Sequence, residues 1–399
     1  MTIELNIMQT TALAMVLYVL GRYTVNHIAF LKRCCIPAPV VGGMIFALLH
    51  LLTHQMGILT FTFDTTIKDV FMIWFFTSVG YGASFKVLKK GASCIIRFVL
   101  LCAILITVQD LIGSVGAGIF GLDGRLGLCM SSIPLLGGHG TSASFGHQFE
   151  AMGIAGAEVV ALACATYGLV AGSLMGGPIA RTKIAKYGLH SEVPTDTKLE
   201  TVETAQQPDE VRNQNSTDIL NGFILLIVAA GIGSYINIAL ADVITLPTYM
   251  GAVVVGLIIR NVCDSFKIEL DMHSVDTAGN VCLNVFLAIA LMSLKLWELA
   301  ALALPMVVIL LVQTVFMFLF ASFVVFRAMG RDYEAACLTT AFCGFGMGAT
   351  PNAMANMQSV TDQYGPAPTA FFVVPVVGGM FSDFLNTGII TVFLNFLPK

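Results

Sequence analysis

Apolar stretches long enough to cross a bilayer recur along almost the whole chain, and they leave few alternatives to a membrane-spanning fold. A helical span needs roughly 20 predominantly apolar residues. Ten stretches of about that length lie near residues 5–21, 38–59, 69–85, 94–120, 154–180, 218–240, 246–263, 276–294, 299–327 and 366–396. Only 11% of the residues are charged, a share far below that of soluble domains. The sequence therefore predicts an all-α polytopic membrane protein with about ten transmembrane helices and with membrane lipid as part of its solvent.

Charge and cysteine usage argue against several other classes of protein. The formal net charge is −4, and the basic residues form no continuous face that could meet nucleic acid phosphates. Nucleic acid is therefore not an expected partner. The ten cysteines lie mostly inside apolar stretches without a C-x-x-C pair, so we interpret them as small hydrophobic residues.

The distribution of Lys and Arg predicts the orientation of the chain. If the N-terminus lies outside, sixteen of the twenty basic residues fall on the cytoplasmic side, and the four outside are Lys68, Arg125, Lys295 and Lys399. This split is the positive-inside bias of a correct topology. Both termini are then outside. The polar segment at residues 182–217 cannot bury enough apolar surface to order itself and is predicted to be a cytoplasmic linker.

The two halves of the chain repeat each other weakly at a nearly constant offset of 204 to 209 residues. The matched pairs are Pro39-x-x-x-Gly43 with Pro247-x-x-x-Gly251, Ser84-Phe-Lys86 with Ser293-Leu-Lys295, Val108-Gln109 with Val312-Gln313, and Gly138-x-Gly140 with Gly346-x-Gly348. Five spans per half, an odd number, would turn the second half upside down relative to the first. The sequence thus predicts inverted repeats at residues 1–181 and 218–399, an arrangement typical of secondary transporters.

Two glycine-rich stretches, at about residues 125–150 and 333–362, do not read as ordinary spans. Each begins like an apolar helix, breaks at a glycine cluster and continues with small polar residues. Gly costs roughly 1 kcal/mol relative to Ala in a helix interior, and Pro351 lacks a backbone donor. Non-helical backbone at membrane depth is tolerated only where protein or a water-filled cavity receives it. We therefore predict two re-entrant hairpins that enter from opposite sides and approach each other at their tips.

A helix that restarts after such a break presents free N–H groups and the positive end of its dipole, which favours a carboxylate. Short hydroxyl and amide side chains follow both breaks and are candidate ligands for a solute or a hard cation: Thr141, Ser142 and Ser144 after the first, and Thr350, Asn352 and Asn356 after the second. The alternative is that the glycines serve only close helix packing.

Four motifs resemble those of the bacterial sodium/glutamate symporters. They are Gly137-Gly138-His139-Gly140-Thr141, the run from Cys343 to Pro351, the run from Ile36 to Gly43, and the run from Leu294 to Leu299. The resemblance implies a homodimer in the bacterial inner membrane, with periplasmic termini, that takes up L-glutamate with co-transported sodium by an elevator-like movement. The family's glycine positions carry over to Gly137, Gly138 and Gly140, and to Gly344, Gly346 and Gly348. Cys343 stands where the family pattern has glycine.

Three carboxylates fall within apolar segments, where a charge costs at least about 2.5 kcal/mol. They are Asp110, Glu158 and Asp383. Because no Lys or Arg is expected deep in a span, a bound cation or a proton is the predicted neutraliser. Glu158 and Asp383, close to the hairpins, are the preferred sodium ligands, and Asp110 has the alternative of a structural pairing with Gln109 or a neighbouring span.

Two histidines lie in the first glycine-rich stretch. His139, between two glycines, is a candidate hydrogen-bond donor to the solute, with a local helix cap as the alternative. His147 lies near the outer end of the stretch and is expected to be solvated.

Three other functions remain open at this point. An intramembrane enzyme is disfavoured because no set of nucleophile, base and orienting residue is present. A passive channel is disfavoured because two inverted halves, each with a broken segment, favour alternating access. A symporter for another small carboxylate, such as citrate or malate, would use the same helix ends.

Overall fold

The described part of the chain is helical except for one pair of short strands. The computed structural model describes residues 2–33, 36–82, 84, 92–191, 216–240, 248–297 and 302–396. In chain order the elements are β1 Thr2–Leu5, α1 Ile7–His27, α2 Ala29–Arg33, α3 Ala38–Gln55, β2 Thr60–Phe63, α4 Thr66–Gly82, α5 Ala92–Ile119, α6 Gly124–Leu128, α7 Ser132–Leu135, α8 Gly138–Ala151, α9 Ala157–Tyr187, α10 Ser216–Leu240, α11 Met250–Phe266, α12 Met272–Met292, α13 Ala303–Leu319, α14 Phe326–Ala328, α15 Tyr333–Gly346, α16 Thr350–Tyr364, α17 Pro368–Met380 and α18 Ser382–Phe396. A π-helical turn, Phe320–Val325, joins α13 to α14.

Several of these helices are long and apolar enough to cross a membrane, which confirms the predicted multi-pass, all-helical class. Within the described ranges six helices meet both criteria, namely α3, α5, α9, α10, α12 and the helix that continues from α13 through α14. The pair α17 and α18, bent by 46°, would make a seventh span. The other predicted stretches coincide with α1, α4 and α11, of which the last two have 17 residues each.

Two features of the chain differ from the sequence predictions. Helix α9 runs on to Tyr187, into the predicted linker, and ends where Gly188 takes a left-handed conformation with φ 60°. Residues 192–215 of that linker lie outside the described residues, as do Pro247, Phe85-Lys86 and Glu298-Leu299 of the motifs. The sequence did not predict the strand pair, in which β1 and β2 run parallel with Thr2 opposite Thr60 and Leu5 opposite Phe63.

The helices form two sets. In the first, which we call the first helix group, α1, α3, α4, α10, α11 and α12 pack against one another. In the second helix group, α5 to α9 pack with α13 to α18. The main contacts between the groups are made by α4 and α12 with α8, α17 and α18. Each half of the sequence therefore contributes helices to both groups.

Glycines allow close helix contacts within both groups. A Cβ on Gly21 of α1 would lie 2.0 Å from the carbonyl oxygen of Ala38 in α3. On Gly168 of α9, it would lie 2.2 Å from the carbonyl oxygen of Met347, between α15 and α16. Small residues at such contacts let helix backbones approach, which is how helices associate in lipid. Helix α9 thereby lies directly against the break in the second glycine-rich stretch.

Candidate functional site

The breaks of the two glycine-rich stretches lie against each other, as the sequence predicts. We call residues 136–138, where α8 begins, the first tip, and residues 347–349, between α15 and α16, the second tip. Gly138 has φ +65°, and a Cβ placed on it would lie 3.3 Å from the carbonyl oxygen of Gly348 and 3.9 Å from Cβ of Ala349. A left-handed conformation at close backbone contact favours glycine. Segments from the two halves of the chain therefore meet at one point.

Both tips are followed by a helix that starts without a side-chain cap. Neither Gly137, before α8, nor Ala349, before α16, makes a capping hydrogen bond with its side chain. The first N–H groups of a helix have no partner within the helix. Together with the positive end of the helix dipole they favour an anion. The paired tips therefore present backbone N–H groups that favour negative groups, with one donor fewer at the second tip because Pro351 lies in the first turn of α16.

The four glycines at and after the tips have different surroundings. A Cβ on Gly140 would lie 3.1 Å from the ring of Phe75 in α4, so this position faces the first helix group. On Gly346 it would meet Leu105 at 2.4 Å, and on Gly348 it would meet the Asn352 amide at 2.5 Å. Close packing therefore explains Gly346 and Gly348, whereas Gly138 is required by its backbone conformation.

His139 is buried and held by α9. Its Nε2 lies 3.0 Å from Oγ1 of Thr166, and that hydroxyl donates to the carbonyl oxygen of Leu162 at 3.0 Å. Because a hydroxyl has a single hydrogen, Nε2 of His139 must be the donor to Thr166, which leaves Nδ1 as the acceptor. The sequence predicted that His139 either donates to the solute or caps a helix. In the structure the ring has a different contact, because it connects the start of α8 to α9.

Of the hydroxyl groups beside the helix starts, those of Thr141 and Ser142 are buried and that of Thr350 is half-buried. The Ser142 hydroxyl donates to the carbonyl oxygen of Gly138 at 2.7 Å, across the first turn of α8. Thr141 is 2% exposed. Thr350 lies against α17, where a Cβ on Gly378 would be 2.4 Å from its Oγ1.

Asn352 and Asn356 use their amides to bind α16 to α9. Nδ2 of Asn352 donates to the carbonyl oxygen of Leu169 at 3.1 Å, and Nδ2 of Asn356 donates to that of Gly172 at 2.9 Å. Oδ1 of Asn352 accepts from the Ser173 hydroxyl at 2.6 Å. In this conformation both side chains therefore support the second tip from the side of α9.

Glu158 has a basic partner, and the expectation that no Lys or Arg would neutralise it is wrong. Nζ of Lys68, in α4, lies 3.3 Å from Oε1 of Glu158, and the two side chains are 2% and 9% exposed. His147 is not simply solvated, because its Nδ1 lies 3.2 Å from Nζ of Lys68. Its Nε2 lies 3.7 Å from Oδ1 of Asp69. This ionic cluster joins the first helix group to the second. No local sequence pattern indicates this cluster, because Lys68 and Glu158 are 90 positions apart.

Asp383 lies at the boundary between the helix groups. It is in the first turn of α18, directly after the bend that separates α18 from α17. With Thr387 it lines a small cleft whose other walls include Phe76 of α4 and Val253 of α11. This carboxylate therefore lies next to helices of both groups.

Asp110 is fully buried and connects α5 to the start of α7. Its Oδ1 accepts from the Ser131 hydroxyl at 2.9 Å and from the backbone N–H of Ser132 at 3.2 Å. The structural pairing is therefore with these serines and not with Gln109. The Gln109 amide instead donates to the carbonyl oxygen of Gly346 at 2.9 Å, and the Gln313 amide donates to that of Gln109 at 2.8 Å. The glutamines that match in the two halves thus meet.

The three intramembrane carboxylates do not come together. Within the described ranges no group of three or more His, Cys, Asp or Glu side chains is placed to hold a metal ion. A cation held among these residues would therefore take some of its ligands from neutral oxygens, as hard cations allow.

Comparison with known proteins identifies the family. The model of the family "Sodium/glutamate symporter" matches residues 3–366. The sodium/glutamate symporter of Haemophilus influenzae is 39% identical over 391 residues, 96% of each chain. The sodium/glutamate symporter of Escherichia coli is 40% identical over 395 residues, 98% of each chain. These relatives are named as symporters and not as enzymes.

A solved structure of the sodium proton antiporter MjNhaP1 from Methanocaldococcus jannaschii also aligns, with 98% of each chain covered, 12% identity and a TM-score of 0.43. That likeness is too distant to carry an argument. The family model and the two relatives span nearly the whole chain, including both tips and the ionic cluster. On this basis the chain belongs to the sodium/glutamate symporter family.

Proposed function

We propose that the chain is a secondary transporter that takes up L-glutamate with sodium across the bacterial inner membrane. The observation that carries the proposal is the contact between the two tips, each followed by an uncapped helix start. Two such starts match a solute with two carboxylates, because each favours one negative group. Family membership and relatives named as sodium/glutamate symporters support glutamate over citrate or malate.

We further propose that alternating access is elevator-like, with the second helix group moving against the first. Both tips, Glu158 and Asp383 belong to the second group. A solute bound at the tips would therefore move with that group as one body. The first group would be the scaffold and would form the contact of a homodimer. Support comes from the limited set of helices, α4 and α12 against α8, α17 and α18, that make the main contacts between the groups.

The proposed topology has ten spans in two inverted repeats, a re-entrant segment in each, periplasmic termini and a cytoplasmic linker. A reporter fused after Lys399 is expected to be active in the periplasm, while one inserted near Thr204 is expected to be active in the cytoplasm. The charge split and the five spans per half are the reasons. Reporters at the two positions on the same side of the membrane would contradict the inverted repeat.

Coupling to at least two cations per glutamate would follow from the membrane potential. Moving one elementary charge through 100 mV changes its free energy by about 2.3 kcal/mol. Entry of one glutamate anion together with one sodium ion moves no net charge, so a membrane potential that is negative inside does not drive it. Asp383 and Glu158 are the first candidates for cation ligands, although Glu158 would have to exchange Lys68 for the ion.

Uptake of labelled glutamate by purified protein in liposomes tests the function. We expect accumulation against the glutamate gradient when sodium is high outside, and further accumulation when the interior is made negative. Equilibration without accumulation would indicate a channel, and chemical change of the solute an enzyme. Uptake that does not depend on sodium but does depend on a proton gradient would contradict sodium coupling. Citrate and malate as competitors test the alternative solutes.

A further inference from the structure

Three buried oxygen atoms around Ser132 lack a well-aligned hydrogen bond among the residues that the structure describes. They are Oδ2 of Asp110, Oγ of Ser132 and Oδ1 of Asn386. All three residues are 0% exposed. Buried polar atoms are almost always satisfied, so each unsatisfied one calls for a ligand that would complete it.

Ser132 contacts both of the other side chains, since its backbone bonds to Asp110 and to Asn386 and its hydroxyl lies close enough to the Asp110 carboxylate to interact with it. Its N–H donates to Oδ1 of Asp110 at 3.2 Å, which fixes the carboxylate and leaves Oδ2 without a well-aligned partner. Its carbonyl oxygen accepts from Nδ2 of Asn386 at 3.2 Å, which fixes the amide and leaves Oδ1 free. The free atoms therefore come from α5, α7 and α18, and two hydrogen bonds of one residue position them.

The chemistry of these atoms favours a cation over water. Two of the three are pure acceptors, and the third, a hydroxyl, can also accept. A water molecule has two hydrogens and brings no charge, whereas a hard cation accepts several oxygen ligands at once. A cation would also compensate the Asp110 carboxylate, which has no ion pair among the described residues. Burying such a charge without compensation is costly.

The second half of the chain lacks this charge at the matching place. The offset that pairs Gln109 with Gln313 pairs Asp110 with Thr314. The Thr314 hydroxyl donates to the carbonyl oxygen of Leu310 at 2.8 Å and lies 2.8 Å from the hydroxyl of Tyr167. The matching position is therefore neutral and satisfied, so at this pair of positions the carboxylate belongs to the first half alone.

We propose that Asp110, Ser132 and Asn386 bind one of the transported sodium ions. The inference rests on the proposed function and names a site for its cation. The ion would join α5, α7 and α18, and so would fix the segment before the first tip against the helix that follows the second glycine-rich stretch. Sodium binding would thereby order the tips before glutamate arrives.

Sodium-dependent thermal stabilisation of the purified protein, without glutamate, tests the site. A ligand that binds the folded state raises the melting temperature with its concentration. We expect sodium, but not choline at equal ionic strength, to stabilise the parent protein, and Asp110→Asn to raise the sodium concentration at half-stabilisation by more than about 10-fold. Ser132→Ala keeps both backbone hydrogen bonds and should raise the sodium concentration at half-stabilisation by about 10-fold or more.

Ser293→Ala is the matched control, because its hydroxyl donates to Ile289 of its own helix at 2.9 Å, in the first helix group. It should respond to sodium as the parent does. Unchanged sodium responses in Ser132→Ala and Asp110→Asn would overturn the site, as would stabilisation of the parent by acid but not by sodium. If Asp110→Asn does not fold, Ser132→Ala decides.

Uptake separates this inference from the proposed function. Sodium-driven uptake by the parent and by Ser132→Ala with the same sodium dependence would leave the function standing and remove the site. If sodium stabilises the parent through Asp110 but the parent takes up no glutamate, the sodium site would stand and glutamate would not be the transported solute.

Discussion

Gly138→Val is expected to reduce glutamate uptake to below about a tenth of the parent rate while the protein still inserts in the membrane. Gly138 has φ +65°, and the left-handed conformation costs an L-residue about 1–2 kcal/mol, with β-branched residues worst affected. The added side chain would also push on the carbonyl oxygen of Gly348, 3.3 Å from the new Cβ. Since 1.4 kcal/mol is about tenfold in an equilibrium, strain and contact together suffice for this loss.

Two control variants separate the strain from the contact. Gly153 also has a positive φ, 90°, but a Cβ there meets nothing within 4 Å, so Gly153→Val carries the strain alone. Gly177, in α9, likewise has open space, and Gly177→Val adds the side chain without left-handed strain. Both should retain most of the uptake, measured in liposomes with equal amounts of protein. Normal uptake by Gly138→Val would show that the meeting of the tips is not needed for transport.

Lys68→Met is expected to destabilise the protein by about 3–5 kcal/mol, because it leaves Glu158 buried without its partner. The two side chains are 2% and 9% exposed, so water screens their interaction little. Replacing both members, by Lys68→Met with Glu158→Gln, removes the uncompensated charge and should recover most of the loss. Thermal unfolding in lipid nanodiscs measures both variants.

Arg125→Met is the control for the loss of a basic residue. Its pair with Asp123 is more exposed, at 17% and 32%, and exposed pairs contribute about 0–1 kcal/mol. A double variant as unstable as Lys68→Met alone would mean that the long side chain of Lys68 matters by packing and not by charge. Because the pair joins the two helix groups, uptake by the double variant also reports whether that link limits their movement.

The sequence predicted the helices and the tips well because both depend on local properties. Apolar length alone located the stretches that became α3, α5 and α12. Glycines next to polar residues marked the breaks at Gly138 and Gly348. The strand pair was missed because four-residue strands carry too little pattern to separate them from the ends of apolar runs.

Side-chain partners across the fold were beyond reach of the sequence. Lys68 is predicted to be an outer basic residue because it falls between the predicted spans 38–59 and 69–85, yet it lies beside Glu158. Asn352 was predicted as a ligand from its place after the second break, whereas its amide contacts Leu169 of α9. Each pairing depends on how distant helices pack, which no local pattern encodes.

The parallel pairing of β1 with β2 also requires an even number of membrane crossings between the two strands. Because Leu5 lies opposite Phe63, the backbone between them must leave and return to the same side of the bilayer, whatever the hydropathy of the intervening segments. An even number of crossings follows, and α1 and α3, which pack together, supply a pair. The N-terminus and the start of α4 therefore lie on the same side of the membrane, and a label at either place locates both.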